Sequence, residues 1–143
     1  MGDSEVWLSG GRDGPSGNDQ SSSDVYSWRG PGTPWRRRPN LLCATNLHDM
    51  VWDGQGIWVF DGSWSRTLSV LICDSEQWEV VSLLRSTLFN SGSVCWGPHI
   101  ITLGGAGHPD EVLVTDTLSG TTTQATTTLP HPVWSHCVAL IMP

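Results

Sequence analysis

The chain has 143 residues, which is enough for one domain with a buried core. Seven basic residues, all of them arginine, stand against fourteen acidic ones, and the net charge of −7 argues against binding to nucleic acid or to an anionic membrane. Sixteen glycines and nine prolines leave few stretches long enough for a stable helix, so the composition predicts an all-β fold.

The sequence shows no targeting or membrane-spanning segment. No window approaches the roughly 18 apolar residues of a membrane helix, and the first residues lack the basic and apolar regions of a signal peptide. The four cysteines, Cys43, Cys73, Cys95 and Cys137, are far apart and lie on or near apolar runs. We therefore expect buried structural thiols and a cytoplasmic, or alternatively nuclear, protein.

Apolar segments followed by a pair of small residues occur three times in chain order. They read EVWLSGG from Glu5, GIWVFDG from Gly56 and HIITLGG from His99. The second glycines of the pairs, Gly11, Gly62 and Gly105, lie 51 and 43 residues apart. Glycine permits positive φ and close backbone approach, so the pattern predicts one tight turn built three times, with Gly10 and Gly104 as the first members of two pairs.

Further strands complete each repeat. A polar loop and a second apolar run follow each pair, and then comes a strand marked by Trp35 in the first unit and Trp78 in the second, 43 residues later. Each tryptophan is predicted to fill the wedge between adjacent sheets. New strands start at residues 50–52, 93–96 and 137–140. The units are therefore approximately 5–49, 50–92 and 93–136, with the start of a further one at 137–143. The polar loop 12–23 is interpreted as a flexible surface insertion that lengthens the first interval.

These residues resemble the kelch repeat, in which a strand, a di-glycine, a second strand and a tryptophan recur. The best copies are residues 51–92 and 94–136, although Asp61 replaces a glycine and the third unit lacks the tryptophan. The resemblance implies an all-β fold, a partial β-propeller of four-stranded antiparallel kelch-like blades, with about three repeats and an incomplete ring. An amphipathic helix over residues 76–89 is an alternative, but Val80, Val81 and the repeat register argue against it.

No catalytic, metal or cofactor site emerges from the motifs. His108 with Asp110, and His131 with His136, match no standard zinc spacing and are interpreted as loop histidines. The glycine-rich stretch at 104–108 lacks the third glycine of a dinucleotide loop. Copper-holding propeller oxidases use tyrosines, and this chain has only Tyr26. We therefore predict that the protein is not an enzyme and uses no cofactor.

The predicted function is a protein–protein interaction module that binds a protein partner through inter-strand loops. The candidate binding residues are Trp64, Arg66, His108, Asp110, Arg36, Arg37 and Arg38. For the three arginines, a solvated turn is the alternative interpretation. Other possibilities for the whole chain are a non-functional or structural fragment or isoform of a larger kelch protein, and a propeller enzyme. Two chains could also form a homodimer that completes one ring, each lending its last strand to the other's first blade.

Overall fold

The computed structural model describes residues 4–13, 20–60, 62, 67–72, 76–85 and 87–141. Within these residues the chain forms thirteen β-strands and no helix. In chain order the strands are β1 (Val6–Ser9), β2 (Arg12–Asp13), β3 (Gln20–Ser21), β4 (Val25–Trp28), β5 (Arg36–Arg38), β6 (Asp49–Trp52), β7 (Gly56–Phe60), β8 (Thr67–Ile72), β9 (Gln77–Leu83), β10 (Gly92–Trp96), β11 (His99–Leu103), β12 (Val112–Asp116) and β13 (Thr122–Gln124).

Three antiparallel sheets follow one another along the chain. Sheet 1 has the order β1-β4-β5, sheet 2 the order β6-β7-β8-β9, and sheet 3 the order β10-β11-β12-β13. The short strands β2 and β3 form a separate hairpin beside sheet 1. The predicted all-β, partial-propeller fold class is confirmed.

The alternative helix over residues 76–89 is wrong. The segment forms β9, which pairs with β8 along its whole length and contains a register shift opposite Leu68 and Ser69. Val80 and Val81 are β-branched and suit the pleated surface. In a strand successive side chains point to opposite faces, so apolar residues spaced as in a helix do not form one apolar side here.

Two hydrophobic clusters hold the sheets together. The first lies between sheets 1 and 2, where Val25 meets Val59, and Trp78 packs against them. The second lies between sheets 2 and 3, where Phe60 and Leu68 meet Ile100. Each sheet therefore buries one face against the sheet before it and the other against the sheet after it, where such sheets are present.

The two predicted wedge tryptophans differ. Trp78 packs against the first cluster and donates a hydrogen bond from Nε1 to the carbonyl of Pro39 at 3.0 Å, as expected for a residue between sheets. Trp35 is 49% exposed and stacks on Trp28 instead. The prediction for Trp35 is wrong because no described sheet covers that face of sheet 1.

The paired glycines adopt one repeated backbone geometry in two of the three units. Gly10 and Gly11 have φ values of 54° and 96°, and Gly104 and Gly105 have 57° and 108°. In both pairs the second N–H donates to a carbonyl of the segment after the sheet, that of Thr45 or Val133. At Gly62 a Cβ would collide with the backbone of residues 46–48, so close backbone approach requires glycine there.

The predicted strand at residues 137–140 does not form, because a strand needs a hydrogen-bonding neighbour and none of the described strands pairs with it. The two ends of the predicted insertion 12–23 pair as β2 and β3, and Ser22 bridges Thr45, whereas residues 14–19 lie outside the described residues.

The cysteines depart from the expectation of burial. Cys43 and Cys137 are exposed free thiols, because they lie in segments that no sheet covers, whereas Cys95 packs against the second cluster. Cys73 lies outside the described residues.

Candidate interaction surface

The loop residues singled out from the sequence occupy different environments. Trp64 and Arg66 lie outside the described residues. His108 Nδ1 lies 3.1 Å from Glu111 Oε1, and Glu111 also accepts from Arg85 at 3.1 Å. Asp110 does not contact His108 or Glu111 through its side chain, and the residue is exposed. Its backbone carbonyl accepts a hydrogen bond from the N–H of Leu129. The structure therefore joins His108 to a neighbouring carboxylate and leaves Asp110 to solvent.

The three consecutive arginines form β5, where Arg36 and Arg38 lie on the face toward sheet 2 and Arg37 lies on the opposite face. Arg38 has only 8% of its side chain exposed and bonds Glu5 at 2.7 Å, Glu76 at 2.5 Å and Ser27 at 2.8 Å. Its guanidinium also lies 4.8 Å from the ring centroid of Trp7. Hydrogen bonds from Arg29 and then from Arg38 lower the pKa of Glu5. Arg38 therefore links sheet 1 to the segment that enters β9 of sheet 2, and its side chain is not available to a partner.

Arg36 and Arg37 remain at the surface. Both have 62% of their side chains exposed. Arg37 donates to Asp24 at 2.6 Å, and the Tyr26 hydroxyl lies 3.4 Å from the same carboxylate. These groups form a polar rim beside the aromatic residues of sheet 1.

The face of sheet 1 that points away from sheet 2 is apolar and uncovered. We call it the open face, and it consists of Val6, Leu8, Tyr26, Trp28, Trp35 and Arg37. Val6 and Leu8 are 55% and 56% exposed. Trp28 and Trp35 stack with ring centroids 5.8 Å apart. The open face thus offers aliphatic and aromatic surface beside a charged rim.

Repeat alignment shows that the exposure is particular to sheet 1. With the second glycines superposed, Val6 corresponds to Ile57 and Ile100, which are 4% and 0% exposed. Leu8 corresponds to Val59 and Thr102, which are 0% and 1% exposed. Because sheets 2 and 3 each have a preceding sheet, their side chains at these positions are covered. Sequence reasoning named Arg37 and Trp35 on this face but not Val6, Leu8, Tyr26 or Trp28, although the repeat alignment and the two-residue period would have pointed to them.

A second feature that the sequence did not predict is a set of polar side chains with buried, unpartnered atoms near the starts of the repeats. The residues are His48, Asp49, Ser91 and His136. Within the described part of the chain, His48 Nδ1, Asp49 Oδ2, Ser91 Oγ and both ring nitrogens of His136 are buried without a hydrogen-bond partner. Burial lowers the pKa of His48 and raises that of Asp49, the latter against opposing effects of Ser93 and His136.

His48 does not form a nucleophilic pair with Ser9. Ser9 Oγ lies 2.7 Å from His48 Nε2, but Ser9 is only 8% exposed. His48 Nδ1, which a carboxylate would have to orient, has no partner among the described residues. The contact joins sheet 1 to the segment that enters sheet 2.

A cleft of about 430 Å³ lies between the outer strands of sheets 2 and 3. Arg85 spans it by bonding Glu111 and Gln124, each at 3.1 Å, and the Ser82 hydroxyl donates to the carbonyl of Gly120 at 3.2 Å. These bonds cross the cleft and link the outer strands of sheets 2 and 3.

Neither a metal site nor a membrane helix is found in the described ranges. No three His, Cys, Asp or Glu side chains among those residues are arranged to hold a metal ion. Nor does any helix of the described chain have the length and apolarity to cross a membrane.

Comparison with known proteins shows the fold. No family model matches the sequence, and no curated protein matches it. Matches do exist among solved structures, 103 chains in all. One is the structure of YjhT, with a TM-score of 0.72 and 13% identity over 90% of this chain and 50% of that one. The chain thus spans about half the length of YjhT. The two proteins share a fold although only 13% of their aligned residues are identical.

Proposed function

We propose that this chain is a protein-interaction module of the kelch propeller type that binds its partner through the open face of sheet 1. The observation that carries the proposal is the exposure of Val6 and Leu8, at 55% and 56%, where the equivalent residues of sheets 2 and 3 are at most 4% exposed. Contiguous apolar surface rimmed by polar groups is typical of sites that bind other proteins.

The chemistry of the open face supports this function. Tryptophan, tyrosine and arginine dominate the energetics of protein interfaces, and all three are present there as Trp28, Trp35, Tyr26 and Arg37. The stacked indoles are already ordered, so a partner that covers them loses little side-chain entropy.

The edge of β1 adds a second mode of attachment. Among the described strands β1 pairs only with β4, so its other edge presents unused backbone donors and acceptors. An extended segment of a partner can add to such an edge by β-augmentation. The combination of an open edge and an open face favours a protein over a small molecule.

The assignment to the kelch type is supported by the repeated φ values at Gly10–Gly11 and Gly104–Gly105 and by their matching hydrogen bonds. The loop residues Trp64 and Arg66 remain predicted contributors to binding. Arg38 is not part of the proposed surface, since its side chain is committed within the chain.

A photo-crosslinking experiment tests the function. Benzoylphenylalanine replaces Arg37 on the open face in one variant and Leu118, which is 88% exposed on the β12–β13 turn, in a control variant. Both are irradiated in the cells that express the chain. We expect discrete protein adducts at position 37 and a weak background at position 118.

Specificity comes from a second substitution. Leu8→Asp places a charge on an exposed position of the open face, so the fold should persist while adducts at position 37 fall about tenfold or more. Equal adduct patterns at the two positions, or adducts unaffected by Leu8→Asp, would show that the open face is not the binding site.

A further inference from the structure

Sheet 1 lacks a first strand, and residues 137–141 have the repeat position of a first strand but belong to no described sheet. Sheets 2 and 3 begin with β6 and β10, which pair with β7 and β11, but β1, the equivalent of β7 and β11, has no such neighbour among the described strands. Residues 137–141 stand where a first strand is expected, with Val138 following Val51 and Val94 at intervals of 43 and 44. They form no strand. One unused edge and one unused strand therefore occur in the same chain.

The two faces at the ends of the array are also complementary. In sheets 1 and 2 the face toward the next sheet is covered, as Val25, Phe60 and Leu68 show, each at 0% exposure. The equivalent positions of sheet 3, Leu103 and Val112, are only half-buried. The open face of sheet 1 is the counterpart of the faces of sheets 2 and 3 that cover such positions.

We propose that the partner of the open face is a second copy of this chain, and that residues 137–141 of each copy add to the β1 edge of the other. This inference rests on the proposed function, since it names the occupant of the same surface. The two copies meet in two equivalent contacts. In each contact sheet 3 of one copy packs against the open face of the other, so that the two copies close one ring.

The repeat fixes the register of the added strand. Met50 lies opposite Val59, and Ser93 opposite Thr102. Cys137 occupies the position of Met50 and Ser93, and Leu8 that of Val59 and Thr102, so Cys137 of one copy lies opposite Leu8 of the other. In sheet 3 the side chains of this pair touch, with Ser93 Oγ and Thr102 Oγ1 2.8 Å apart.

The position of the segment in the single chain agrees with this role. Val138 and His136 lie against Gly92, where a Cβ would meet Val138 Cγ2 at 2.7 Å. The segment therefore already runs beside the start of β10, as β10 itself runs beside β6. In the proposed dimer its other side pairs with the β1 edge of the second copy.

A cysteine scan tests the register. The full chain is purified with the substitution Leu8→Cys and retains native Cys137, an exposed thiol. Mild oxidation should give a disulfide-linked product at twice the monomer mass of 15.6 kDa, with the residue 8 peptide joined to the residue 137 peptide. Leu8→Cys combined with Cys137→Ser should lose that product. Val6→Cys is diagonal to Cys137 at about 7–8 Å and should give much less.

Light scattering on the unmodified chain provides the second readout. The dimer mass is expected, and Leu8→Asp should weaken the dimer about tenfold or more while leaving circular dichroism unchanged. A monomeric mass at all concentrations, or cross-links from position 8 that avoid residue 137, would overturn the second copy as partner. If the purified chain is monomeric while cellular adducts at position 37 persist, only this inference fails; if those adducts are also absent, the proposed function fails with it.

Discussion

Sheet 1 and sheet 3 carry similar residues at equivalent positions, and their environments differ because of what lies beside them. Val6 is 55% exposed and Ile100 is 0% exposed, although both are β-branched residues five positions before the second glycine of their unit. Sheet 3 has sheet 2 in front of it, whereas no described sheet stands in front of sheet 1. Burial in a repeat protein is thus a property of the neighbour as much as of the residue.

The largest effect should separate these two positions. Ile100→Ala removes a fully buried side chain from the second cluster and should lower the free energy of unfolding by about 2–5 kcal/mol. Val6→Ala should cost about 0.5 kcal/mol or less, measured by urea denaturation at a concentration low enough for the monomer. Similar losses would mean that sheet 1 is covered even in the single chain. A loss at Val6 that grows with protein concentration would instead support the second copy.

A smaller effect should separate the two faces of sheet 1 itself. Arg38→Met breaks the bonds to Glu5 and Glu76 between sheets 1 and 2, and we expect a loss of about 2–3 kcal/mol because the Glu5 carboxylate, with its side chain 13% exposed, loses this partner. The matched control, Arg37→Met, removes an exposed pair and should cost at most about 0.5 kcal/mol. Thermal unfolding of the two variants makes the comparison. A reversed order would contradict the assignment of Arg38 to the buried joint.

The smallest effect concerns pH at the joint between sheets 1 and 2. Burial lowers the pKa of His48 in the folded chain, so the unfolded chain takes up a proton more readily as the pH falls through the ordinary histidine value of 6.5. Stability from this residue is therefore complete above that pH and is lost below it. We expect amide exchange in β1 to quicken between pH 7 and pH 5.5, after correction for intrinsic exchange rates, and exchange in β11 to change less.

His48→Gln supplies the control for this pH effect, because glutamine keeps a hydrogen-bonding side chain near Ser9 and does not titrate. The difference between β1 and β11 should shrink in the variant. Asp49 has the opposite sign, since burial raises its pKa above the ordinary 3.8 and its contribution to stability is lost as the pH rises. A pH response in β1 that is the same with and without His48 would assign it to another group.

Sequence patterns predicted most of the strands, because the 43-residue interval repeats both the apolar runs and the turns between them. The positive φ values of the paired glycines could be predicted directly, since few other residues tolerate that geometry; the four are Gly10, Gly11, Gly104 and Gly105. Trp78 was correctly placed between sheets, but Trp35, 43 residues earlier, was not. The two share a repeat position, and only one of them has a sheet to pack against.

The candidate site could be read from the sequence only in part. The run of Arg36, Arg37 and Arg38 looked like one basic patch, but a strand sends alternate side chains to opposite faces, and Arg38 enters a joint. The contact between Ser9 and His48 gave no motif, because the two residues are 39 positions apart and meet only when the chain folds.

The sequence by itself determined the all-β class, the repeated turn and the alternation of apolar residues, because these depend on local dihedral preferences and on a two-residue period. Tertiary structure alone decided which of the repeated faces are covered, which arginine is buried and which strand stays unpaired. These outcomes depend on contacts between residues far apart in the chain, and nothing in one repeat encodes whether another sheet will lie beside it.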